Sequence, residues 1–307
     1  MSRRFPPIIV VLLLVLAGCA SHQDPSAQDS TAAPDTEATF PVTIGPVTIE
    51  RRPTRIVSLS PSATETLFAV GAGPQVVAVD SLSDYPPPAP HTQLSSLNPD
   101  PEAIAAYHPD LVIVSSDRDG LSAALQTIGV KNLVMADAKT LEDAYGEFVQ
   151  IGKATGHQAE GESLARQVGS DVDKIVADTP KPPRPLTYYY ELDQTYYTAT
   201  SATFIGGILS RFGLHNIADG DNPGISGGYP QLSAERILQS NPDLVFLADS
   251  KCCGQNAPTV GARPGWSTLT AVRDGHVFAL DDDIASRWSP RIVDLVRAVA
   301  DAVTRTR

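Results

Sequence analysis

One stretch of this sequence occurs twice, and the pair limits the available folds more than any other feature. Residues 101–117 read PEAIAAYHPDLVIVSSD and residues 234–250 read AERILQSNPDLVFLADS. Glu102 falls on Glu235, and the same offset of 133 residues pairs Ile104 with Ile237, Asp110 with Asp243 and Leu111 with Leu244 without a gap. Each copy is a helical pattern, an X-Pro-Asp break and an apolar run. A residue before proline is pushed out of the helical region, which predicts helix ends at His108 and Asn241. Apolar runs such as Leu111–Val114 and Leu244–Leu247, bounded by turn residues, have the pattern of parallel strands covered on both faces. The offset is far too long for a solenoid period. It predicts two similar α/β lobes in one chain.

The segments around the copies alternate between strand and helix. Arg55–Ser60 has a strand pattern and Pro61–Val70 a helical one. Ser60 or Ser62 is the expected cap, with Glu65 completing a capping box on Ser62. A strand at Val76–Val79, a helix at Leu121–Ile128 and a strand at Leu133–Met135 follow. Between Leu141 and about Thr179 no strand pattern appears. Leu164, Val168, Val172, Ile175 and Val176 recur at near-helical spacing, which predicts one long helix running from lobe to lobe. The second lobe then has a strand at Leu186–Tyr190, a helix at Phe204–Arg211, a strand at Val277–Leu280 and a closing helix from Pro290 to Val303. Phe40–Glu50 reads as an edge hairpin. The expected fold class is α/β, with two Rossmann-like lobes built on parallel sheets, joined by one long helix, and a ligand cleft between them. The expected boundaries are an amino-terminal lobe at 42–150, a bridging helix at 151–182 and a carboxy-terminal lobe at 183–307.

The beginning of the chain reads as a targeting signal. Arg3 and Arg4 precede an apolar core from Ile8 to Leu16, too short to span a bilayer. Leu16-Ala-Gly-Cys19 matches the bacterial lipobox. This predicts a signal peptide at 1–18, Cys19 as the lipidated (palmitate-bearing) first residue, and membrane attachment through lipid alone. Residues 19–41 are dominated by Ser, Thr, Ala, Pro, Asp and Gln and are expected to be a disordered tether. The expected location is extracytoplasmic. A net charge of −12 argues against nucleic acid as a partner.

Taken together, Arg55-Ile-Val-Ser-Leu-Ser-Pro-Ser-Ala-Thr-Glu-Thr-Leu-Phe-Ala-Val-Gly71, Ser83-Asp-Tyr-Pro-Pro87, both Pro-Asp-Leu-Val copies and Ser286-Arg-Trp-Ser-Pro-Arg291 resemble a known family. These are the helical-backbone substrate-binding proteins of ABC importers, which carry vitamin B12, ferric siderophores or haem. The resemblance covers about residues 50 to 305, and the cobalamin-binding members are the nearest match. It implies a monomeric protein, not an enzyme, that clamps a small-molecule metal chelate between its lobes and passes it to an ABC transporter permease. No cofactor is implied beyond that cargo, a cobalt corrinoid or a ferric chelate, and no residue is assigned to a metal. In similar proteins one glutamate per lobe docks on the permease, so Glu102 and Glu235 carry that expectation. Read without the family, each is a first-turn acid favouring its own helix.

Cleft residues are sought in loops at the carboxyl ends of strands. The candidates are Ser60, Tyr85, Leu97, Tyr190, Tyr229, Cys252, Cys253 and Arg287. Tyrosine offers a broad apolar plate with a polar tip, suited to a large planar ligand; Tyr190 and Tyr229 are the expected walls, and Leu97 and Tyr229 stand where cobalamin binders carry tryptophan. Arg287 matches a cleft arginine of the family, with an ordinary salt bridge as the alternative. Trp266 is expected to be lobe packing. Adjacent Cys252 and Cys253 do not have zinc spacing; an exported chain can close them as a vicinal disulfide, and a thiolate facing the ligand's metal is the other reading. A hydrolase of similar two-lobed build is the alternative from another class. Its one motif, Gly224-Ile-Ser-Gly-Gly228, lacks the flanking strand and helix a nucleophile elbow requires.

Overall fold

The computed structural model describes residues 39–220 and 227–306. The signal peptide, Cys19, most of the tether and Ser226 therefore lie outside the described residues. Among those described, no helix is long and apolar enough to cross a membrane.

The duplication reappears strand for strand. In the first lobe β3 (Ile56–Leu59), β4 (Val76–Val79), β5 (Leu111–Val114) and β6 (Lys131–Val134) form a parallel sheet in the order β4-β3-β5-β6. In the second, β7 (Thr187–Glu191), β8 (His215–Asn216), β9 (Leu244–Leu247) and β10 (Val277–Ala279) form a parallel sheet in the order β8-β7-β9-β10. The separate hairpin of β1 (Val42–Ile44) and β2 (Val47–Ile49) is antiparallel. All four residues of β5 and of β9 are buried. Their side chains alternate between two apolar clusters, Leu111 and Ile113 on one face of the sheet and Val112 and Val114 on the other. Leu244 and Phe246 divide from Val245 and Leu247 in the same way. Burial of each large apolar side chain contributes roughly 1.5–3 kcal/mol.

The repeated Pro-Asp has a structural job in both lobes. Asp110 accepts from the main-chain N–H and the hydroxyl of Thr54, at 2.9 and 3.0 Å. Asp243 accepts from the N–H and hydroxyl of Thr187, at 2.8 and 3.1 Å. Each aspartate thus pins the strand that precedes it in sheet order. The residues before the prolines leave the right-handed helical region, as expected, and enter the left-handed one. His108 and Asn241 are left-handed, with φ of 49° and 44°, rather than extended. The helices of the two copies, α2 (Pro101–Ala105) and α7 (Ala234–Ser240), stop before them, while α3 (Leu121–Thr127) follows β5 and α6 (Phe204–Ser210) follows β7.

The helical stretch between the lobes is two helices. α4 (Leu141–Thr155) ends at Gly156, which is left-handed at φ 82°, and α5 (Gln158–Asp178) follows. α5 is the long connecting helix, but it does not cross alone. Leu141, Ala144 and Phe148 of α4 belong to the core of the second lobe, while Ile151 and Ala154 belong to that of the first. Along α5, Leu164 touches both cores and Val168 and Val172 lie in the second. The corner between the helices is held to the first lobe, where Gln75 Nε2 and Arg52 Nε both donate to the Thr155 carbonyl at 3.1 Å. Gly152 and Gly161 let the two helices approach: a Cβ on Gly161 would lie 2.6 Å from the Phe148 carbonyl oxygen. Both lobes fall in one compact unit.

Candidate functional site

The loops after the strands of the two lobes meet across a seam, and the meeting is ionic. From the first lobe come Glu65 on α1 (Pro61–Ala69) and Asp84 on the loop after β4. From the second come Lys251, Asp283, Arg287 and Arg291. Arg287 Nη1 donates to Glu65 at 2.9 Å and to Asp84 at 3.0 Å. Its Nη2 donates to Asp283 at 2.8 Å and to the Leu82 carbonyl at 3.0 Å. Arg291 donates to Glu65 through Nε at 2.8 Å and again through Nη2, and its guanidinium lies 4.2 Å from the Tyr85 ring centre. Lys251 Nζ is 3.3 Å from Asp84 and also pairs with Asp283. Three carboxylates therefore face three cations. Burial opposes ionisation of Asp84, but hydrogen bonds and charge from Arg287 and Lys251 outweigh it and hold its carboxyl below the usual value.

Local sequence explains these positions. Ser60 accepts from Ala63 N–H and caps α1, with proline as the first helical residue. That cap frees Glu65, so the expected capping box on Ser62 is absent and Glu65 serves the seam instead. The loop carrying Asp84 and Tyr85 is braced from below. Thr64 and Ser83 hydroxyls lie 3.0 Å apart, and Ser83 donates to Asp80 at 2.5 Å. Asp283 lies in the short helix Asp282–Ala285 and Arg287 just beyond its end, four residues on, which is close enough for the two to pair.

The sequence-named candidates divide. Tyr85, Leu97 and Tyr229 are exposed, at 42, 64 and 43 %. Cys252 and Cys253 are exposed and joined as a disulfide, so neither offers a free thiolate. Three others are buried rather than open to a cleft. Tyr190 is fully buried in the second lobe's core, because all three of Tyr188–Tyr190 are covered by helices on both sheet faces. Ser60 is buried as the cap of α1, one of the two roles expected of it. Arg287 is buried, its guanidinium occupied by Glu65, Asp84, Asp283 and Leu82 rather than presented to a cleft. Glu102 and Glu235 are both exposed in the first turns of α2 and α7, with no ion-pair partner among the described residues. Trp266 is buried in the second lobe, as expected.

Two cavities adjoin the seam. One of about 550 Å³ runs between α1, the Tyr85-Pro86 turn, α5 and the start of α8 (Ile292–Arg305). A volume of that order is typical of small-molecule sites. The other, of about 130 Å³, is bordered by Asp137, Phe204, Tyr229 and Trp288. Trp288 Nε1 donates to Glu147 of α4 at 3.0 Å. Among the described residues no group of three or more His, Cys, Asp or Glu side chains is placed to hold a metal ion.

Two buried acids give the fold a pH dependence. Burial pushes Glu147 up to about 7, against the hydrogen bond from Trp288. Burial, with the charge of Glu191, pushes Asp249 up to about 7 as well. Both hold their proton longer folded than unfolded, so their stabilising contribution is complete below the ordinary carboxylate range and lost as pH rises through about 7. The melting temperature of the wild type is expected to fall across that window relative to the Glu147→Gln, Asp249→Asn double variant. Parallel curves for the two proteins contradict the assignment.

Comparison with known proteins agrees with this architecture. The family model described as periplasmic binding protein matches residues 56–284. An uncharacterised ABC transporter substrate-binding lipoprotein of Bacillus subtilis is 30 % identical over 96 % of this chain and 95 % of its own. A cobalamin-binding protein of Halobacterium salinarum is 31 % identical over 99 % of this chain and 85 % of its own. The crystal structure of a possible iron-binding (periplasmic solute-binding) protein from Staphylococcus epidermidis aligns with a TM-score of 0.71 at 26 % identity, covering 82 % of this chain and 99 % of that one.

Proposed function

The chain belongs to the periplasmic binding protein family, and on that premise we propose that it is a lipid-anchored protein that captures a corrinoid and delivers it to an ABC import permease. The observation that carries the choice of ligand is the balance of charge at the seam. Lys251, Arg287 and Arg291 are each met by Glu65, Asp84 or Asp283. A strongly anionic chelate would have to strip these partners away, leaving carboxylates desolvated and unpaired. A bulky ligand of little net charge needs only apolar plates, and Tyr85, Leu97 and Tyr229 are exposed to supply them. The likeness to a cobalamin-binding protein over nearly the whole chain supports the same ligand. Likeness to the structure described as a possible iron-binding protein supports a ferric chelate as the second reading. Lipidation at Cys19 is supported by the lipobox and by the Bacillus relative, a lipoprotein. Glu102 and Glu235, exposed at matched positions of the two lobes, are the proposed contacts with the permease.

Absorbance titration of the purified protein with cyanocobalamin, haem and a neutral and an anionic ferric siderophore tests the ligand. Cyanocobalamin is expected to bind with Kd below about 1 μM, or about −8 kcal/mol. Binding of haem or a siderophore without binding of cyanocobalamin overturns the proposal. Reversing Glu102 and Glu235 to arginine should then abolish uptake while leaving that titration unchanged; normal uptake rules out the docking role.

A further inference from the structure

We propose that Cys252–Cys253 is a thiol–disulfide exchange site that controls how firmly the two lobes engage. The pair forms a disulfide with both residues exposed, so a small thiol can reach it. Closing adjacent cysteines makes a small ring that includes the peptide bond between them, and the backbone there loses its freedom. The residue immediately before the ring is Lys251, whose Nζ reaches Asp84 of the other lobe at 3.3 Å.

The turn that carries both is built around one carboxylate. Asp282 accepts from Lys251 N–H at 2.9 and 3.0 Å, from Cys252 N–H at 2.7 Å and from the Ser250 hydroxyl at 3.0 Å. Gly254, at φ 69°, closes the turn on its other side. In the helical turn Ser250–Cys253 the ring and the Asp282 bonds together fix the main chain from which Lys251 extends to Asp84 and Asp283. A turn this short cannot hold itself by helical hydrogen bonding alone. Opening the ring therefore loosens the base from which Lys251 reaches across the seam.

The exchange step is a two-electron reduction by a dithiol. One thiolate of the dithiol attacks a cysteine sulfur, the Cys252–Cys253 bond breaks, and a mixed disulfide forms. The second thiol of the reductant displaces the protein sulfur and closes its own disulfide. The two protons of the dithiol end on Cys252 and Cys253. Oxidation by the reverse exchange with a disulfide restores the ring. The sequence has three cysteines, and the third is Cys19, so no other disulfide within the chain confuses the effect.

The test needs no ligand, so its failure and failure of the corrinoid assignment are distinguishable. Hydrogen exchange of the ligand-free full chain is followed at residues 82–85, across the seam from Lys251, with and without dithiothreitol. Alkylation and mass spectrometry report the state of both cysteines. Reduction is expected to speed exchange at 82–85 by about threefold to fivefold, in keeping with loss of one partly exposed ion pair. Lys251→Met should show that faster exchange with the disulfide intact and no further response to reductant. Cys252→Ser, Cys253→Ser should be insensitive to reductant. Unchanged exchange in wild-type chains proved reduced, or a full reductant response in Lys251→Met, overturns the proposal.

Discussion

Replacing Glu65 with alanine is expected to lower the unfolding free energy by about 3 to 5 kcal/mol, the cost of stripping a partner from a buried ion pair. Glu65 is 2 % exposed and meets two arginines from the other lobe. Without it Arg287 keeps Asp84 and Asp283, but Arg291 loses every side-chain hydrogen bond of its guanidinium given by the described residues and keeps the Tyr85 ring and the charge of Asp281. The loss falls on the seam, so urea melts should show the drop and scattering of the folded protein should show a larger radius of gyration. Glu65→Gln keeps an acceptor and removes the charge, and is expected to cost less than alanine. A change under about 1 kcal/mol, the scale of a surface pair, would mean that the seam is open to water in solution.

The second large effect concerns two glycines and has a built-in control. Gly161→Ala is expected to cost about 2 to 4 kcal/mol. Alanine is the better helix former by about 1 kcal/mol, but here the new methyl would sit 2.6 Å from the Phe148 carbonyl and 3.1 Å from Gly152 Cα. Those atoms are backbone and cannot swing aside, so α4 and α5 must part, and overpacking prevails. Gly146 lies in the partner helix α4, with nothing within 4 Å of its would-be Cβ. Gly146→Ala should therefore stabilise by up to about 1 kcal/mol. The identical substitution with opposite signs is read directly from two denaturation midpoints. Equal signs would place the helix contact elsewhere.

The fold was legible wherever neighbours in sequence are neighbours in space. Leu111–Val114 and Leu244–Leu247 announce buried parallel strands by being apolar throughout, and the 133-residue offset announces two lobes. The break at Gly156 was harder to read, because apolar periodicity resumes on its far side and only a single glycine marks the corner. Tyr190 reads as a cleft wall, but a strand inside a doubly covered sheet buries both of its faces, so alternation does not identify a residue facing the ligand. The charged seam was the least legible part. Arg287 and Glu65 are 222 residues apart, and Arg291 and Glu65 are 226 apart, so no local pattern joins them. Glu65 also sits where a helix-capping acid fits, and that closer explanation masked the distant one. The arginine pair in Ser286-Arg-Trp-Ser-Pro-Arg291 was visible as a motif but not as half of a contact.

The divided membership of α4 limits how such chains can be recombined. Its first half completes one interior and its second half the other, so cutting near residue 150 leaves each fragment with an unfilled hollow. Hybrids that join the front of one relative to the back of another would need to inherit residues 138–172 as a block, together with the surfaces of both lobes that receive it. Exchange of ligand preference between relatives is then easier through the rim loops than through whole halves.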